Sequence, residues 1–124
     1  MEAPLHTIVE TPAYLASAKG LLSDEDRSDI AEMIAANPAC GDLIVGGGGV
    51  RKVRFAIGNK GKSGGVRVIY FHHSAGLPVF LFMVYGKSER TNLTMAQTNT
   101  IAAVAKRIVE TYGASSCARN PSTS

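Results

Sequence analysis

The sequence predicts an α+β domain. Helical periodicity is confined to one stretch near each end, and strand-like runs follow one another between them with no helix intervening. At 124 residues and 45% apolar content the chain has material for a single core. "PLHTIVE" is short and β-branched and stops before Thr11-Pro12, so it reads as a first strand. Tyr14, Leu15, Ala18, Leu21 and Leu22 then recur at helical spacing. Ser23 caps a second helix whose first turn carries Asp24, Glu25 and Asp26, where the helix dipole favours negative charge. Its stripe is Ile30, Met33 and Ile34, and Asn37-Pro38 ends it, which predicts a helical hairpin.

"GDLIVGGGG" reads as a turn-rich connection whose glycines give a flexible entry to a sheet. In "VRKVRFAI" the alternation sends Arg51, Val53, Phe55 and Ile57 to one face and Lys52, Arg54 and Ala56 to the other, with Val53, Phe55 and Ile57 in the core. "VRVIYFHH" is the next strand. "VFLFMVY" is continuously apolar, as in a central strand covered on both faces, and its alternation groups Tyr85 with Val79, Leu81 and Met83. Thr94 and Gln97 have capping-box spacing. The last helix is expected to bury Ile101, Val104, Ala105, Ile108 and Tyr112 and to end at Gly113. The expected division is a domain over 1–112 and a disordered tail over 113–124. The predicted order is β, α, α, β, β, β, α, largely antiparallel.

Charge is unevenly spread. Residues 1–42 hold eight acids against Lys19 and Arg27, whereas residues 43–88 hold Arg51, Lys52, Arg54, Lys60, Lys62, Arg67 and Lys87 and no acid. Soluble surfaces usually mix both signs, so a basic, acid-free sheet points to a polyanion. No apolar run is long enough for a membrane helix, and the N-terminus lacks a basic region followed by an apolar stretch, so a cytoplasmic protein is expected. Cys40 and Cys117 are isolated and read as reduced thiols.

"AIGNKGKSGG" (Ala56–Gly65) fits a loose phosphate-loop pattern. Such a loop joins a strand to a helix, and here a strand follows, so a nucleotide hydrolase is excluded on context. The same context excludes "GKSGG" as a nucleophile elbow. His72 and His73 leave opposite faces of a strand and His6 is remote, so no metal site is expected. Asp42 with Glu89 is an acid/base pair in principle only. The cationic set suits chemistry on an RNA phosphodiester. Attack by a 2′-OH needs a proton acceptor, a proton donor and cations, and no cofactor. Clustered lysines lower one another's pKa and arginines hold phosphate in bidentate fashion. Tyr85 is either a core tyrosine or a group that stacks on a base or moves a proton.

The pieces "NPACGD", "GGGGVRKVRF", "GKSGGVRVIY" and "YGKSE", within roughly residues 6–112, together resemble the HigB-type branch of the RelE/ParE superfamily of bacterial type II toxins. The resemblance implies a RelE-like fold with two N-terminal helices, a small sheet and a C-terminal helix. It implies an mRNA interferase that cuts transcripts on the translating ribosome and is held by a cognate antitoxin, a helix-turn-helix DNA-binding protein. Carried over by position, Arg54, Lys60, Lys62 and Arg67 fall on the family's RNA-facing cations. Tyr85, Lys87 and Glu89 fall on its segment at the end of the last strand, with Gly86 and Arg90 as departures. The expected catalytic set is Arg67, Lys62, Tyr85, Lys87 and Arg54, with Lys52, Arg51, Lys60, Glu89 and Arg90 as RNA contacts. Two other readings remain open: a non-nucleolytic, ParE-like gyrase poison acting by protein contact, and an inactive module that keeps only antitoxin docking.

Overall fold

The computed structural model describes residues 6–57, 65–74, 76–86 and 93–119, with side chains as far as Tyr112. The elements are β1 (Ile8–Glu10), α1 (Pro12–Ala18), α2 (Asp24–Ala36), β2 (Asp42–Leu43), β3 (Val50–Phe55), β4 (Val66–Phe71), β5 (Val79–Gly86) and α3 (Met95–Arg119). They form one sheet in the order β1-β5-β4-β3-β2. β1 runs parallel to β5, and every other pair is antiparallel. The α+β class is therefore observed, with one strand, β2, beyond the predicted set.

The sheet has an apolar cluster on each face. On one, Tyr14, Ala18, Ile30 and Ile34 of α1 and α2 pack on Val66, Val68, Tyr70, Val79, Leu81 and Val84. On the other, Ala105, Ile101 and Ile108 of α3 pack against Val50, Ile69, Phe71, Phe80 and Phe82. Val53, Phe55 and Ile57 join the first face, as alternation predicts. β5 breaks the alternation. Its pairing with β4 shifts between Ile69 and Tyr70, which face Met83 and Leu81, so Phe82 is an extra residue in the ladder. Tyr85 consequently shares the α3 face with Met83, while Val79 and Leu81 lie on the other. An all-apolar strand covered on both sides gives no sequence sign of this change of phase.

α1 covers the edge of β5 that β1 leaves. β1 pairs only with Val79–Leu81. Thr11 caps α1 by accepting from Tyr14 N at 3.1 Å and donates its hydroxyl to Leu81 O at 2.8 Å. Ser17 Oγ then accepts from Val84 N at 3.0 Å, so a ladder donor past the end of β1 is satisfied by a helix side chain. α1 stops at Ala18, and Gly20 turns the chain at φ 78°. Ser23 caps α2 as predicted, Asp26 completes a capping box with it, and Arg27 ties that helix to β1 through a bidentate bond to Glu10 at 3.1 Å.

The turn after α2 is held by Tyr70. Its hydroxyl donates to Pro38 O at 2.7 Å and accepts from Gly41 N at 2.9 Å. Burial pushes the phenol well above its ordinary pKa. A Cβ on Gly41 would lie 2.8 Å from Lys52 O and 3.0 Å from the Tyr70 ring, so only glycine fits. From there β2 pairs Asp42 with Lys52 and Leu43 with Arg51, where the sequence predicts a turn-rich connection. The following glycines make a tight turn in place of the expected flexible entry: Ile44 N donates to Val50 O at 2.9 Å, and Gly46, Gly48 and Gly49 take positive φ.

At the C-terminal end, Thr94 and Gln97 exchange the two predicted capping bonds. Val104 and Tyr112 are 43% and 39% exposed and not buried, because the stripe facing the sheet follows Ile101, Ala105 and Ile108. Tyr112 keeps an edge contact with Phe80. α3 continues to Arg119, so Gly113 does not end it.

Tyr70→Phe removes the partner of Gly41 N and of Pro38 O at a buried site. It is expected to cost about 1–3 kcal/mol in urea unfolding, and a loss below about 0.5 kcal/mol would show that the turn is held by other contacts.

Candidate nucleic-acid interface

The antiparallel register places Arg54 opposite Arg67 and Arg67 opposite Tyr85, in one row across β3, β4 and β5. Directly paired residues share a face, so the row stands on the α3 side of the sheet, with Lys52 two residues along β3 from Arg54. Arg54 is exposed and Arg67 half-buried. Because β2 pairs only with Arg51 and Lys52, the outer edge of β3 is open beside Arg54. A cleft of about 270 Å³ lies there, lined by Cys40, Asp42, Lys52, Val53, Arg54 and Arg67.

Two arginines directly opposite repel by a few tenths to about 1 kcal/mol, and the flanking Val53–Val68 and Phe55–Val66 pairs hold the strands against it. Two guanidinium groups at one cleft suit a phosphate group, whose oxygens take paired N–H donors.

The remaining expected site residues divide. Arg51 lies on the opposite face, where its Nη1 donates to Gly41 O at 2.8 Å and to Ala39 O at 3.4 Å, so it braces the turn that carries Cys40 and Asp42. Tyr85 is 2% exposed and belongs to the α3-side core, so its ring offers no free face for stacking on a base. Lys60, Lys62, Lys87, Glu89 and Arg90 lie outside the described residues, as does most of the glycine- and lysine-rich loop. Asp42 and Cys40, which are outside the expected set of RNA contacts, join the cleft. Their signal is the Tyr70-bound turn in "NPACGD", legible only once the turn is folded.

His6 and His72, remote in sequence, meet edge to face with ring centroids 5.6 Å apart. Burial, with His6, Arg51 and His73 nearby, lowers the pKa of His72. Among the described residues, no three His, Cys, Asp or Glu side chains are grouped to hold a metal ion.

The paired arginines are expected to bind inorganic phosphate. Phosphate should raise the Tm of the wild-type protein by a few degrees at saturating concentrations, about what 1 kcal/mol of linkage gives. The shift should fall by more than half in Arg54→Thr and in Arg67→Thr. Equal shifts in all three proteins would mean that the anion binds elsewhere.

The fold is similar to that of a solved protein, the free state of a double arginine-to-alanine variant of the E. coli toxin RelE. It superposes with a TM-score of 0.53 at 16% identity, over 84% of this chain and 98% of that one, a likeness of fold alone. In sequence, the family model of the RelE toxin of the RelE/RelB toxin–antitoxin system matches residues 13–115. That span takes in the helical hairpin, β2 to β5 and most of α3, and with it every residue of the arginine cleft, so the chain belongs to the RelE toxin family.

Proposed function

We propose that this toxin is a ribosome-dependent mRNA endonuclease that inhibits translation by cutting messages through 2′-OH attack on the adjacent phosphodiester. The observation that carries this reading is the Arg54–Arg67 pair beside an open cleft, on a stretch of chain that holds no acid from residue 43 to 88. A surface that only docked a protein would not need every charge along that stretch to be positive.

Arg54 and Arg67 hold the non-bridging oxygens of the scissile phosphate and stabilise the charge that builds on them. The 2′-oxygen bonds to phosphorus as its proton passes to a base, for which Lys62 is the assigned group. The bond from phosphorus to the 5′-oxygen breaks, and Lys87 returns a proton to that leaving oxygen. The products are a 2′,3′-cyclic phosphate and a 5′-hydroxyl, with atoms and charge balanced and no cofactor consumed. Lys52, Lys60 and Arg90 contact the flanking RNA backbone. Tyr85 acts from the core by fixing the strand opposite Arg67, and Arg51 acts by fixing the turn at the cleft's rim. A cognate antitoxin, a helix-turn-helix protein in this reading, restrains the toxin in the cytoplasm.

Removing one preorganised donor to a developing oxyanion typically costs about 10²–10³ in rate. Arg67→Ala is therefore expected to slow cleavage of ribosome-bound mRNA by that order while leaving the circular-dichroism melt intact. Mapping of mRNA 5′ ends after induction should show codon-phased cuts that vanish in this variant. Intact mRNA accompanied by gyrase-linked DNA breaks would replace this reading with a gyrase poison, and neither effect would leave an antitoxin-docking module.

A further inference from the structure

The cationic cleft leaves the acidic N-terminal block without a role, and the fold accounts for only part of it. Glu10 and Asp24 pair with Arg27, and Asp26 closes the capping box of α2. The side chains of Glu25 and Asp29 make no hydrogen bond or ion pair among the described residues. Both open onto a groove of about 680 Å³ between the start of α2 and the end of β3. Its apolar walls are Leu21, Leu22, Phe55 and Ile57, each only partly buried by the core beneath, and no cation among the described residues lines it.

We infer that this groove docks a cationic amphipathic segment of a protein partner, with apolar side chains against Leu21, Leu22, Phe55 and Ile57 and lysines or arginines reaching Glu25 and Asp29. Two properties of the groove select that chemistry together. The acidic rim repels RNA and anionic lipid surfaces. The apolar walls give a small hydrophilic cation little to bind, whereas a peptide that presents both kinds of side chain gains from each. The acids are also spaced to act along one line, since Glu25 and Asp29 are four residues apart on one face of α2.

Phe55 and Ile57 face the α1–α2 side of the sheet, while Arg54 faces the other. A partner seated in the groove therefore leaves the arginine row uncovered, and the two faces of β3 serve two ligands of opposite charge. This inference does not rest on the nuclease reading.

The test is fluorescence anisotropy with a labelled peptide patterned in leucine and lysine so that one helical face is apolar. Controls are the same peptide with glutamate for lysine and a sequence-scrambled isomer. The proteins are wild type, the double charge reversal Glu25→Lys/Asp29→Lys, and Arg67→Ala, each checked for an unchanged thermal melt. Asp26 is left intact because it caps α2. The patterned peptide should bind wild type and Arg67→Ala alike and bind the charge-reversed protein at least about tenfold more weakly, the sum of several surface ion-pair effects. Equal binding to the charge-reversed protein, equal binding of the scrambled peptide, or no binding above the glutamate control would each overturn the proposal.

Discussion

The molecule turns on the register between β3 and β4. Six consecutive residue pairs join these strands, from Val50–Phe71 to Phe55–Val66, and the fifth sets Arg54 against Arg67. A slip of β3 by one residue would turn Arg54 toward the α1–α2 core and away from Arg67. The pairing is electrostatically unfavourable in itself. It persists because β4 is buried almost throughout and its neighbours on both sides are fixed by apolar contacts on two faces. Stability is thus drawn from the cores, and the cost is placed where an anion can relieve it.

A second layer of contacts gives the arginine pair a cleft to stand in. Tyr70 reaches from near the end of β4 to the turn after α2, and Arg51 grips the same turn from β3. Gly41 lets the backbones close to contact, and Asp42 then enters the sheet opposite Lys52. β2 begins only at Asp42, opposite Lys52, so the edge of β3 is free beside Arg54. On the far side, Ser17 takes the Val84 N–H that a longer β1 would have bonded. Each device lets a short strand end without leaving a buried backbone group unpaired.

Much of this was legible in the sequence, because local chemistry and tertiary environment agree there. The Ser23 and Thr94 caps form as their spacing requires, and the alternation in β3 separates Lys52 and Arg54 from Val53 and Phe55 as predicted. What stayed hidden depends on partners remote along the chain. The bulge at Phe82 moves Tyr85 to the α3 face, yet an apolar residue satisfies either face of a strand covered on both sides. Arg51 looks like any other cation until the Gly41 carbonyl comes within 2.8 Å. β2 is two residues long, too short for periodicity to register, and Gly113 sits within a helix that runs on to Arg119. The paired arginines themselves lie 13 positions apart, and only the strand register joins them.

Arg54 and Arg67 stand toward α3, and the acid-rimmed groove lies on the α2 side of the sheet. The central claim is that the arginines act as a unit on one phosphate, and a double-mutant cycle on kcat/KM measures that directly. With Arg54→Ala, Arg67→Ala and the double variant acting on ribosome-bound mRNA, two groups sharing one phosphate should couple by about 1 kcal/mol or more. The double variant should then be less impaired than the product of the single losses. Strictly multiplicative losses would mean that the two arginines serve separate sites and that the register does not build the catalytic centre.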